Sequence, residues 1–147
     1  MKRCLYIGLG GTGMTALLHT KKMFVETYGE VPPMIGFLGV DADRNAYEKE
    51  IPSKYGNIKL ERSEQIQICV QDARAEYDAY SDRFTWIPEE NIYALGELTN
   101  GCGQVRSNGR FALTSNFREL SDRVQATVSR ICDPNIVDNE KYDVNFA

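Results

Sequence analysis

The stretch Ile7-Gly8-Leu9-Gly10-Gly11-Thr12-Gly13-Met14-Thr15 constrains the fold of this chain more than any other. It follows a short apolar run, Cys4-Leu5-Tyr6-Ile7, and precedes a helical pattern. Strand, glycine loop and helix, in that order, build a phosphate site. Glycines let the backbone come close to the phosphates, and the first helical N–H groups are unpaired and sit at the positive end of the helix dipole. Residues 3–8 read as the strand and Thr12 to Tyr28 as the helix. Met14, Leu17, Leu18, Phe24 and Val25 recur at helical spacing, and Gly29 with Pro32-Pro33 supplies the stop. His19 reads as a partly exposed helix residue.

The next run, Met34-Ile35-Gly36-Phe37-Leu38-Gly39-Val40, is almost continuously apolar. Such a run fits a strand buried on both faces, as in a parallel sheet. Strand, helix and strand in this order predict a right-handed βαβ unit. The run ends in Asp41-Ala42-Asp43, and open α/β sheets bind ligands outside the carboxyl ends of their strands. Asp41 and Asp43 are therefore candidates for ribose or base contacts, or for holding a Mg²⁺ water. The alternative for Asp43 is to cap a short helix from Arg44 to Glu50. Short strands are expected around 58–60 and 65–70, the latter at a sheet edge. A surface helix or connection is expected over 71–83. Trp86 is expected to be buried under a loop.

A second glycine loop spans Asn100 to Arg110. The amides of Gly101, Cys102, Gly103 and Gln104 suit a nest around a terminal phosphate. Arg106 and Arg110 suit its charge, or else pair with a carboxylate inside the fold. A long helix follows, with Leu113, Phe117, Leu120, Val124, Val128 and Ile131 on one stripe. Asp133-Pro134-Asn135 ends it, and residues 133–147 form a polar tail that turns faintly strand-like at 142–147.

The Gly8, Gly10 and Gly13 spacing alone also fits an NAD- or FAD-binding Rossmann half with Asp41 on the ribose. No Gly-Lys-Ser/Thr follows, which excludes a Walker-type loop. A net charge of −4 and a pI of about 5.1 favour neither nucleic acid nor an anionic membrane as partner. No apolar run approaches the roughly 20 residues of a membrane span, and no secretory signal is legible, so the cytoplasm is the expected compartment. The four cysteines, Cys4, Cys69, Cys102 and Cys132, show no C-x-x-C spacing, and a structural zinc site is not expected. Cys4 and Cys69 read as small buried apolar residues and Cys102 as an exposed one.

Three blocks carry a resemblance. Tyr6-Ile7-Gly8-Leu9-Gly10-Gly11-Thr12-Gly13, Phe37-Leu38-Gly39-Val40-Asp41-Ala42-Asp43, and Leu98-Thr99-Asn100-Gly101-Cys102-Gly103-Gln104 through Gly109-Arg110 stand in the order and spacing of the tubulin/FtsZ family. The chain resembles its bacterial tubulin-like branch over roughly residues 3–131. The resemblance implies a Rossmann-like three-layer α/β domain with a mostly parallel sheet. It implies GTP or GDP and Mg²⁺ as ligands, self-association into protofilaments, and hydrolysis completed by acidic residues of the next subunit. The cofactor-binding residues it implies are Gly8, Gly10, Gly11, Thr12, Gly13, Thr15, Asp41, Asp43, Gly101, Cys102, Gly103, Gln104, Arg106 and Arg110. Thr15 and Asp41 stand where the family has Asn. The family's later Gly-Gly-Gly-Thr-Gly signature has no counterpart in 132–147. The expectation is therefore an incomplete domain, the N-terminal part of a longer GTPase, inactive by itself.

Overall fold

The computed structural model describes residues 1–136 and 142. Strand β1 (Cys4–Leu9) leads directly into helix α1 (Gly10–Tyr28), and the chain returns as β2 (Ile35–Asp41). A hairpin of β3 (Ile51–Ser53) and β4 (Gly56–Ile58) follows, then β5 (Gln65–Gln67). Helices α2 (Ala73–Ala79), α3 (Glu89–Ile92), α4 (Arg106–Ser115) and α5 (Phe117–Ile131) follow, and short 3₁₀ turns lie at Arg44–Glu48, Arg62–Glu64 and Ser81–Arg83.

The main sheet has the order β1-β2-β5 and is parallel throughout. Cys4 through Leu9 pair with Ile35 through Val40, and Gly39 through Asp41 pair with Gln65 through Gln67. β2 is the central strand and is buried along almost its whole length. Its side chains alternate between two cores, as strand geometry requires. Ile35 and Phe37 join Met14, Leu17 and Leu18 of α1 on one face. Leu38 and Val40 join Ile66, Ile68, Phe111 and Ala112 on the other. Each large side chain buried this fully contributes about 1.5–3 kcal/mol. The two glycines in β2 admit the helices on either side. A Cβ on Gly36 would lie 2.8 Å from Thr127 Cγ2 of α5, and one on Gly39 would overlap Met14 Sδ of α1. Helix, sheet and helix are thus the three layers expected of a Rossmann-like domain.

Several elements differ from the sequence reading. Helix α1 begins at Gly10 rather than Thr12, because the positive φ of Gly10 (69°) turns the chain straight from strand into helix. The expected edge strand forms only over Gln65–Gln67, although Ile68 N–H still donates to Asp41 O at 3.0 Å. The expected long helix is broken at Asn116. Its side-chain amide donates to Ala112 O at 2.9 Å and to Cys69 O at 3.4 Å, a local bond that competes with helix continuation. Beyond the break, Leu120 and Val124 pack on the core and Ile131 is buried, whereas Phe117 (62%) and Val128 (40%) of the same expected stripe are exposed.

Residues 70 and 98 close a gate. Val70 N–H donates to Leu98 O at 3.1 Å and Leu98 N–H to Val70 O at 2.7 Å. Between them runs an excursion carrying α2 and α3. Its Phe84, Ile87 and Leu95 share a core with Phe111 and Ala112 of α4, with Phe84 and Phe111 centroids 4.3 Å apart. Of the polar tail, residues 137–141 and 143–147 lie outside the described residues, and so does most of its strand-like end. Tyr142 is buried, with its hydroxyl 2.7 Å from Glu30 Oε1 and its ring edge-on to Tyr28.

Candidate functional site

The carboxyl ends of β1 and β2 converge with the second glycine loop. Asp43 and Asn100 form an isolated antiparallel bridge, and Arg44 N–H donates to Thr99 O at 3.1 Å. These bonds tie the turn after β2 to the start of the second loop. The three segments enclose a cleft of about 430 Å³ lined by Leu9, Gly10, Gly11, Val40, Asp41, Ala42, Ile68, Cys102, Gln104, Gly109 and Leu113. Its size falls within the usual range for small-molecule sites.

The glycines of the first loop divide into two roles. Gly8 and Gly13 bring strand and helix together: a Cβ on Gly8 would lie 2.5 Å from Gly13 O, and one on Gly13 would lie 3.0 Å from Gly8 C. Gly10 and Gly11 line the cleft, and a Cβ on either would meet nothing within 4 Å. Helix α1 has no side-chain cap and no acidic residue in its first turn, so its leading N–H groups keep their positive character. Thr12 and Thr15 lie outside the cleft, along an adjoining groove that also includes Gly11. Thr15 Oγ1 donates to Gly11 O at 3.0 Å.

Asp41 is half-buried in the cleft wall, and its Oδ1 accepts from Asp43 N–H at 3.0 Å. Asp43 does not line the cleft; its Oδ1 accepts from Asn45 N–H at 2.9 Å and caps the 3₁₀ turn Arg44–Glu48, the alternative role considered for it. A buried tyrosine, Tyr47, secures this corner. It receives the Asp41 N–H at 2.8 Å and donates to Ile66 O at 2.6 Å, joining β2 to β5. Burial pushes the Tyr47 phenol well above its ordinary range, so it remains protonated and a donor.

In the second loop Gly101 (φ 92°), Gly103 (60°) and Gln104 (61°) are all left-handed. Gln104 is the one described non-glycine residue with positive φ, a conformation that concentrates at functional sites. Cys102 and Gln104 face the cleft, while Gly101 and Gly103 shape the loop without lining it. The Cys102 thiol is half-buried rather than exposed, and burial, helped by nearby Asp41 and Cys69, raises its pKa. Cys69 is likewise half-buried, with Sγ donating to Ala42 O at 3.0 Å and its pKa raised chiefly by burial.

Neither arginine lies on the cleft. Arg106 is exposed, and the Arg110 guanidinium sits 4.1 Å above the Trp86 ring, an engagement with neither the expected phosphate nor a carboxylate. Trp86 is half-buried and serves as that platform. Leu9, Val40, Ala42, Ile68, Gly109 and Leu113 complete the lining and were not sequence candidates.

No group of three or more His, Cys, Asp or Glu side chains among the described residues is arranged to hold a metal. Mg²⁺ characteristically takes one or two carboxylates and completes its shell with phosphate and water oxygens. Asp41, the one carboxylate in the cleft lining, suits that requirement by donor type.

Fold and cleft define a Rossmann-like α/β domain with two glycine loops meeting at the carboxyl end of a parallel sheet. A family model described as tubulin like matches residues 5–145, and the chain belongs to that family. No match was found among curated proteins or solved structures.

Proposed function

We propose that the cleft binds a purine nucleoside triphosphate, GTP, as part of a bacterial tubulin-like GTPase that self-associates in the cytoplasm. The observation that carries this reading is the meeting of Gly10-Gly11, Asp41 and Cys102–Gln104 around one cleft in a tubulin-like chain. The amides of Gly10 to Thr15 take the α- and β-phosphates. Asp41 contacts ribose or base, and Asp43 contacts ribose or bound Mg²⁺. The Gly101–Gln104 loop takes the γ-phosphate. Mg²⁺, when bound, neutralises phosphate charge. The chain's own contribution is to position the nucleotide through backbone amides and the two aspartates. Hydrolysis is phosphoryl transfer to water, driven by positioning and charge stabilisation. The acidic residues that activate the water come from a neighbouring subunit, so the 147-residue chain alone is expected to show no multiple turnover.

Isothermal titration tests the reading. Mg²⁺-dependent GTP binding supports it; NAD⁺ binding without GTP binding refutes it in favour of a dinucleotide module. Light scattering of the intact protein with and without GTP tests the assembly half. Assembly indifferent to nucleotide would mean that the site has lost its function.

A further inference from the structure

The pairing of β2 with β5 stops halfway down β2. Backbone groups of a strand alternate between its two edges. Met34 O faces β1, where it accepts from Cys4 N–H at 3.2 Å. Ile35 O and Asp41 O face the other way, accepting from Arg130 Nη2 at 3.3 Å and from Ile68 N–H at 3.0 Å. Phe37 falls between them on that same edge, so its N–H and C=O also point away from β1. Counting back by twos from Ile68, the β5 side would meet Phe37 O with Glu64 N–H. That N–H turns back instead to Glu61 O at 2.8 Å, inside the 3₁₀ turn Arg62–Glu64. The ladder therefore begins at Gly39, and Phe37 has no backbone hydrogen bond on this edge among the described residues. A groove of about 350 Å³ opens there, with Pro32, Ile35, Phe37, Glu64, Arg123 and Arg130 in its lining. Its charges do not balance. Glu64 is committed to Lys21, at 2.6 Å. Arg130 spends its guanidinium on Pro33 O and Ile35 O, both at 3.3 Å. Arg123 is half-buried and pairs with no carboxylate among the described residues.

We infer that this open half-edge of β2 is a docking site for an extended acidic segment of a partner protein, which pairs with Phe37 and sets a carboxylate on Arg123. An unpaired strand edge takes up extended peptides through its backbone groups, with affinity from the ladder and specificity from alternate side chains. Here every second side chain of the added strand faces α5, and two guanidiniums without a carboxylate of their own select acidic residues at those positions. The site lies toward the amino end of β2, away from the cleft at its carboxyl end, and does not depend on the nucleotide reading.

The test titrates the 147-residue chain with a labelled, end-capped hexapeptide of alternating Glu and Val, read by fluorescence anisotropy, and follows amide hydrogen exchange at Phe37 by NMR. Saturable binding that slows exchange at Phe37, and that weakens about tenfold in Arg123→Gln, is the expected result. Replacing Glu by Lys in the peptide should abolish binding, and so should N-methylation of every second residue in one of its two phases. No saturable binding up to about 1 mM peptide overturns the assignment. Equal binding of the Lys peptide, or binding that survives N-methylation in both phases, overturns it too. Protection of Phe37 that grows with protein concentration in the absence of peptide would put a second copy of the chain on this edge and overturn it as well. The peptide arms need no variant, so a folding defect in Arg123→Gln cannot shield the proposal.

Discussion

The division of labour among the first-loop glycines gives a sharp contrast between two substitutions. In Gly8→Ala the new Cβ would meet backbone, 2.5 Å from Gly13 O and 2.8 Å from Gly13 C. A relaxed carbon–oxygen contact needs roughly 3.3 Å, so β1 and α1 must part by about 0.8 Å. Overpacking costs about 1–3 kcal/mol, and two backbone segments that cannot rotate away place this site near 3. The stiffer unfolded chain returns about 0.4–1 kcal/mol, leaving a net loss of about 2 kcal/mol. With a slope of about 2 kcal/mol per molar, the urea midpoint should fall by about 1 M. Gly11→Ala is the counterpart. Its Cβ meets nothing within 4 Å, and Ala is a better residue than Gly within a helix by about 0.8–1 kcal/mol. Its midpoint should hold or rise, while its Cβ stands in the cleft wall and weakens nucleotide binding. Equilibrium urea unfolding followed by far-UV circular dichroism reads both. An unchanged midpoint in Gly8→Ala, or an equal loss in Gly11→Ala, would refute the assignment of packing to one glycine and ligand access to the other.

Other expectations follow from single contacts. The Arg110–Trp86 stack should show a coupling of about 0.5–1 kcal/mol in a double-mutant cycle of Arg110→Ala and Trp86→Ala, read by denaturation. Lys21 is buried, with Nζ 2.6 Å from Glu64 Oε2 and 2.8 Å from Lys59 O. Glu64→Ala strands that ammonium and should cost about 3 kcal/mol, seen as a lowered thermal midpoint. The folded thiols of Cys69 and Cys102 have raised pKa values, whereas unfolded thiols ionise near about 8.5. Their contribution to stability is therefore complete below that pH and is lost as pH rises through the folded values. The same shift should make both react with a maleimide at pH 8 more slowly than exposed Cys132, which mass spectrometry of partially labelled protein would resolve.

The parts of the molecule legible in the sequence are those set by local pattern. The apolar run of β2 announced a strand covered on both sides, and the spacing of Met14, Leu17 and Leu18 announced the helix that covers one of them. The loop at 8–13 was legible as the turn at the carboxyl end of β1, whereas residues 100–110 are brought to it by the Asp43–Asn100 bridge, since no strand of the parallel sheet leads into them. What escaped depends on partners distant in the chain. That the Arg110 guanidinium lies over Trp86, 24 positions earlier, is not written in the loop around it. The break at Asn116 depends partly on Cys69 O, which no helical periodicity reveals. Gly8 and Gly13 satisfy the same motif as Gly10, yet only tertiary packing tells a glycine that admits a helix from one that faces open space.

The gate between Val70 and Leu98 has a bearing on how such a chain changes over evolutionary time. Entry and exit of the excursion are held by two backbone hydrogen bonds, of 3.1 and 2.7 Å, that need no particular side chain. Its length and composition can therefore drift, or be replaced outright by an engineer, while the strand ends and both glycine loops keep their places. The toll on such freedom is local: any substitute must still cover Phe111 and offer Arg110 a flat surface.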